Sequence, residues 1–218
     1  MDSGLLQRLA DKSVTKEQLL QDAKGNAGLI PELLKGTSSS RASIRYGCAK
    51  VLMDLSKERP DMLYPHMEFF MDLLGSRYRI LTWNALAIIA NLARVDKDMK
   101  FDAIFGKYYG FLNDEYMVTV ANVVGHSGKI ALAKPHLTQK ITDELLKVEN
   151  IPTTPHLTEE CKRVIAGKAI SYFSLFFDKI DAKEKVASFV RRHLNSPRRT
   201  LSKEAEDFLN EWGQLQRK

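Results

Sequence analysis

The sequence predicts an all-α protein, a right-handed α-α superhelix of about four to five helical hairpins. Three observations carry that expectation. Apolar residues return at three- and four-residue spacing almost throughout, the period-two alternation of β-branched residues is missing, and one stretch of the pattern returns after a shift of 38 residues. A helical hairpin buries only one stripe of each helix. Hairpins that recur at a fixed spacing therefore stack on one another and share a core.

The elements follow in order. Thr15-Lys16-Glu17-Gln18 has capping-box spacing, in which each side chain satisfies the other residue's backbone N–H, and predicts a short helix to about residue 24. A second short helix over 28–34 ends at Gly36 and the Ser38-Ser39-Ser40 run. From 41 to about 57, Ile44, Cys48, Val51, Leu52 and Leu55 form one helical stripe. Arg59-Pro60-Asp61 predicts a turn, and 63–74 a helix with Met67, Phe70, Met71 and Leu74 on one face.

The shift of 38 residues then sets Ala49 on Ala87, Val51 on Ile89, Leu52 on Ala90, Phe70 on Tyr108, Leu73 on Phe111 and Leu74 on Leu112. A second such shift sets Asn84 on Asn122 and predicts a third hairpin over 113–148. A fourth runs over 157–194, after the loop Ile151-Pro152-Thr153-Thr154-Pro155. A last helix beyond Ser196-Pro197 carries Ala205, Phe208, Leu209 and Trp212. The organisation expected is one domain over 1–218, with capping helices in 1–36, repeats at 38–75, 76–113, 114–151 and 154–195, and a closing helix in 196–218. The helix over 114–133 is apolar nearly all round, with Lys129 its only formal charge between Tyr116 and Lys134, which predicts burial on every side.

Two segments carry a family resemblance. Arg41-Ala42-Ser43-Ile44-Arg45-Tyr46-Gly47-Cys48-Ala49-Lys50-Val51-Leu52 and Leu81-Thr82-Trp83-Asn84-Ala85-Leu86-Ala87-Ile88-Ile89-Ala90-Asn91-Leu92 each resemble the first helix of a HEAT repeat. In that HEAT/armadillo family small residues mid-helix let neighbouring repeats approach, a role Gly47, Ala49, Ala85, Ala87 and Ala90 match. The resemblance is good over 41–112, fair over 113–148 and loose over 157–212. It departs in the third repeat, where Gly125 and Gly128 stand in place of Ala. It implies a HEAT-like solenoid that works as a scaffold or adaptor, and it implies no particular ligand.

Composition agrees with a folded chain able to bury one sizeable core, with 44% hydrophobic and 28% charged residues in 218. No apolar run approaches the roughly 20 residues that cross a bilayer. The N-terminal stretch lacks the basic start and apolar core of a signal peptide, so no membrane association and a cytoplasmic location are expected. Cys48 and Cys161 lie far apart without CxxC spacing and read as small buried hydrophobes.

Motifs for chemistry are weak. Gly125-His126-Ser127-Gly128-Lys129 resembles a phosphate loop only superficially, since Val123 stands at the position of the first Gly and Ile130 at that of the Ser or Thr. His126 reads as a half-buried imidazole, and His66, His136, His156 and His193 share no ligand spacing with it. No Ser or Cys sits in a nucleophile elbow. Glu159-Glu160 and Glu204/Glu206 read as acids near helix starts. HEAT-like DNA glycosylases set a carboxylate beside aromatics on a basic concave face. Here Trp83 belongs to a stacking helix, and only Glu211 adjoins Trp212. No catalytic residue, cofactor or metal is expected.

A partner surface is the remaining possibility. The second helices of the hairpins, at about 63–74, 101–112, 135–148 and 182–195, are expected to line the concave side. They offer Lys107, an exposed Tyr109, Lys140, Lys147, Arg191 and Arg192, with Arg198 and Arg199 in the next turn. Asp181-Ala182-Lys183-Glu184 has a box-like helix start. The net charge is +6, and the window from Cys161 to Lys203 holds eleven basic residues against three acids, a net +8. Two functions follow. One is an adaptor that takes a protein partner in the concave groove. The other is sequence-nonspecific nucleic-acid binding through the basic C-terminal repeats, with four arginines as phosphate contacts.

Overall fold

In the computed structural model residues 4–212 are described, and among them the chain is all helix and connection, with no strand and one isolated bridge between Thr154 and Leu157. The chain divides into two compact units between Ile104 and Phe105.

The first unit begins with α1 (Gly4–Ala10), α2 (Lys16–Gly25) and α3 (Ile30–Gly36). The expected capping box forms: Thr15 Oγ1 accepts from Gln18 N–H at 3.1 Å while Gln18 Oε1 accepts from Thr15 N–H at 2.9 Å. The long helix α4 (Ala42–Glu58) follows. Its Ile44, Cys48, Val51, Leu52 and Leu55 are all buried, as the stripe requires. Small residues make room at two places. Leu9 of α1 lies over Gly47, where a Cβ would stand 2.9 Å from Leu9 Cδ2, and the Cys48 thiol fills the space beside Gly36.

Two expectations change next. The supposed turn at Pro60 is the first residue of a helix, α5 (Pro60–Leu63), because a missing N–H costs nothing at that position. The helix expected over 63–74 is interrupted, since a 3-10 turn at Tyr64–His66 separates α5 from α6 (Met67–Leu73). Pro65 is the physical reason, as it offers no N–H to an α-helical ladder and its ring crowds the preceding turn. Met67, Phe70 and Leu74 are buried, and Met71 is half-buried. Then α7 (Arg79–Leu92) packs on α4 and α6, with Ala85, Ala87 and Ala90 buried. Asn91 of α7 donates to Ser56 Oγ of α4 at 2.8 Å inside this contact.

The division falls within α8 (Lys100–Gly110). Its N-terminus is held in the first unit by Asp96, whose Oδ1 accepts from Lys100 N–H and whose Oδ2 accepts from Phe101 N–H, both at 2.9 Å. Tyr64 donates to Asp96 Oδ1 at 2.8 Å and reaches Asp98 Oδ2 at 3.0 Å.

The second unit continues with α9 (Met117–Ala133), α10 (Thr138–Leu145), α11 (Glu159–Ser174), α12 (Lys183–Arg192) and α13 (Arg199–Trp212). The helix expected to be buried all round, α9, is not. Val120, Val123, Val124 and Ile130 are buried, but Val118 is 45% and Leu132 47% exposed. Helix α11 covers one side of it and the short α10 another, which leaves a solvent edge. The box-like start of α12 also fails. Its cap position is held by Ala182, which has no polar side chain, while its N–H donates to Gln139 Oε1 at 3.3 Å. Cys48 is buried, and burial pushes its thiol up to about 12, whereas Cys161 is only half-buried near the start of α11.

The glycine that departed from the repeat pattern has a structural cause. Gly128 of α9 faces Tyr172 of α11, and a Cβ there would stand 2.5 Å from Tyr172 Cδ1 and 3.0 Å from Leu175 Cδ1. Gly167 of α11 instead faces the carboxylate tip of Glu204 on α13, a half-buried side chain that can swing toward water. The two alanine variants should therefore differ in sign. Gly128→Ala is expected to cost about 1–2 kcal/mol, crowding outweighing the helical preference for Ala. Gly167→Ala is expected to gain about 0.5–1 kcal/mol. Urea unfolding of both variants checks this, and a loss in both would mean that Glu204 is fixed in place.

Candidate functional site

Of the residues named as partner contacts, Lys107 on α8 and Lys140 on α10 are exposed. Lys147 is exposed and pairs with Glu144 at 2.7 Å. Tyr109 is not on the surface. It is 2% exposed, hydrogen-bonded to Ser127 Oγ of α9 at 3.1 Å, and packed against Phe105 with ring centroids 4.6 Å apart. Burial pushes its hydroxyl well above the usual phenol range. The cause is the width of the stripe: 101, 104, 108 and 112 mark its centre, and 109, one turn from both 105 and 112, belongs to its edge.

The arginines are gathered in the second unit around α11, α12 and the turn before α13, and carboxylates meet three of the four. Arg191 Nη1 lies 2.6 Å from Glu184 Oε1. Arg192 grips Glu149 with two bonds, Nη2 to Oε1 at 2.6 Å and Nε to Oε2 at 3.1 Å. Arg198 pairs with Glu160, which also receives Arg163 Nη1 at 3.1 Å, and the Arg198 and Arg163 guanidiniums hold that carboxyl below its ordinary range. Lys162 reaches Glu159 at 3.2 Å. Arg199 is exposed at the start of α13.

A cleft of about 260 Å³ opens among Glu149, Glu159, Lys162, Arg163, Arg192 and His193. His193 is half-buried there, and burial lowers its pKa from the ordinary imidazole value. This corrects the charge reading. The basic window began at Cys161, just after Glu159 and Glu160. Extended back to Glu149 it gains three acids and falls to a net +5. Sequence spacing held one clue, since Glu159–Lys162 and Glu160–Arg163 are i,i+3 pairs on one helix.

The remaining motifs resolve as structure. Gly125-His126-Ser127-Gly128-Lys129 lies in the interior of α9, where backbone N–H groups serve the helix ladder and cannot cradle a phosphate. Glu159 and Glu160 occupy the first turn of α11, as expected, whereas Glu204 lies beyond the first turn of α13, with its carboxyl raised above the usual range by burial. Trp83 is half-buried on α7, and Trp212 packs against Phe177 with tilted rings whose centroids are 5.2 Å apart. Among the described residues, no group of three or more His, Cys, Asp or Glu side chains could hold a metal ion, and no helix is long and apolar enough to cross a membrane.

No known family profile matches the chain, and no curated protein matches it. Solved structures do. A designed armadillo repeat protein aligns over 94% of this chain and 89% of its own length, with a TM-score of 0.61 at 19% identity. An engineered protein from a structural genomics programme aligns over 89% of this chain and 88% of its own, with a TM-score of 0.53 at 16% identity. The fold is an armadillo/HEAT-like helical repeat, an all-α solenoid, as the resemblance of the helix at 41–52 and its counterpart at 81–92 implied.

Proposed function

We propose that the chain is a non-enzymatic, cytoplasmic binding scaffold that takes a protein partner in the concave groove of its helical repeats. The observation that carries this reading is the matching of charges in the second unit, where Arg191, Arg192 and Arg198 each face a glutamate. A phosphate backbone draws its affinity from unmatched cations and the counterions they displace. A surface on which guanidinium and carboxylate alternate suits the mixed charges of a protein, where such groups set register and partner choice. The exposed Lys107, Lys140 and Lys147, on or beside second helices, are the contacts we assign to the partner, with Arg191, Arg192, Arg198 and Arg199 beside them. The two free thiols, Cys48 and Cys161, fit a reducing compartment.

The test uses the immobilised full chain against lysate, beside a variant with Lys107, Lys140 and Lys147 all changed to Glu. The reading expects one protein retained in stoichiometric amount by the parent chain and lost by the variant, insensitive to nuclease. Fluorescence anisotropy with labelled duplex DNA, single-stranded DNA and RNA should show no binding tighter than about 10 μM near physiological salt. Tight, steeply salt-dependent binding that is lost when all four arginines become alanine would overturn the proposal in favour of nucleic acid.

A further inference from the structure

A cavity in the first unit has no place in the scaffold reading. It offers about 580 Å³ between the α1–α2 connection and the N-terminal half of α4 and opens to solvent. That volume is within the range of about 300–1,000 Å³ typical of small-molecule sites. Its wall is apolar, formed by Leu9, Val14 and Ala42 with the ring of Tyr46. Its rim carries Lys12 and Lys16, both exposed.

The rim is a built feature. Lys12 holds a left-handed backbone conformation, φ 62°, which side-chain-bearing residues adopt seldom and at a cost. The connection around it is tied back to α1 at Arg8, whose carbonyl accepts from Val14 N–H at 3.2 Å and from Ser13 Oγ at 3.3 Å. The opposite wall is fixed as well. Arg45 bonds the carbonyls of Ser39 and Ser40 and lies over the ring of Tyr46, 4.7 Å from its centroid. Of the nearby acids, Asp11 accepts from Ser13 N–H through Oδ1 at 3.0 Å, and Glu17 lies on the rim itself. The cavity thus has an apolar body and a rim with two cations against the single acid Glu17.

We propose that this cavity binds a monomeric anionic amphiphile, its apolar body against Leu9, Val14 and Tyr46 and its head group at Lys12 and Lys16. An anionic head group would gain attraction from the two ammonium groups, an uncharged one would gain none, and a cationic one would meet repulsion. A cavity of this volume suits a single short chain or ring, whereas a bilayer surface would engage the exposed cations without filling it.

The full chain is titrated calorimetrically with octyl sulfate below its micelle concentration, beside octyl glucoside and octyltrimethylammonium as neutral and cationic counterparts. The expected result is one site with a Kd on the order of tens of micromolar for the sulfate and at least about tenfold weaker binding of the other two. Ser43→Trp, at an exposed lining position, should abolish binding with an unchanged melting temperature. Lys12→Glu combined with Lys16→Glu should weaken the sulfate at least about tenfold and favour the cationic probe. Equal affinity for all three head groups, binding indifferent to Ser43→Trp, no heat at millimolar probe, or a response to anionic phospholipid vesicles alone would each overturn it.

Discussion

Replacing Asp96 with alanine is expected to lower the unfolding free energy by about 3 kcal/mol. The side chain is 8% exposed and satisfies three donors: the Lys100 and Phe101 N–H groups at the start of α8 and the Tyr64 hydroxyl. Loss of the cap alone costs about 0.5–2 kcal/mol. The Phe101 N–H is buried, so water cannot replace the carboxylate there, and an orphaned buried donor costs about 1–3 kcal/mol more. Tyr64 keeps its bond to Asp98, which limits the damage on that side. Asp96→Asn, with one acceptor oxygen in place of two, should fall about halfway. Urea unfolding of the three proteins measures the series, and a loss below about 1 kcal/mol in Asp96→Ala would show that α8 is held by its apolar face alone.

Arg45→Ala is expected to cost a similar amount, about 3 kcal/mol, by a different route. Arg45 is 6% exposed, donates from Nη1 to the carbonyls of Ser39 at 2.7 Å and Ser40 at 3.1 Å, and lies 3.8 Å above the Tyr78 ring centroid. One side chain thus fixes the turn before α4 and joins it to the residue before α7. Removing it leaves two carbonyls short of a donor and a gap between two tyrosines. Arg45→Lys keeps the charge but loses the flat stacking surface and the fork, so it should recover less than half of the stability. Denaturant melts followed by tyrosine near-ultraviolet dichroism report both, and full recovery by lysine would show that charge alone acts here.

Helix positions were legible wherever one stripe met one neighbour. The α4 stripe of Ile44, Cys48, Val51, Leu52 and Leu55 is buried throughout, and the Thr15 box forms as spelled. What the sequence hid depends on neighbours. Periodicity marks the centre of a buried stripe but not its width, so Tyr109 reads as surface and Val118 as core where the fold has the reverse. Arg192 and Arg198 find carboxylates 43 and 38 residues away, and no local pattern announces those pairs. The break at Pro65 was legible in principle, because a proline five residues after another rarely sits inside one continuous helix.

The fit of Tyr172 over Gly128 limits how such a chain can be rearranged. Interchangeable modules would allow a hairpin to be copied in tandem or moved along the chain without loss. Here the partner of α11 must offer a glycine at that level, and Lys50 or Ala90, the residues 78 and 38 positions earlier, would meet the tyrosine ring instead. A duplication that set a copy of α11 against α4 or α7 would begin with a collision. The serial order of these hairpins is thus written into side-chain volume.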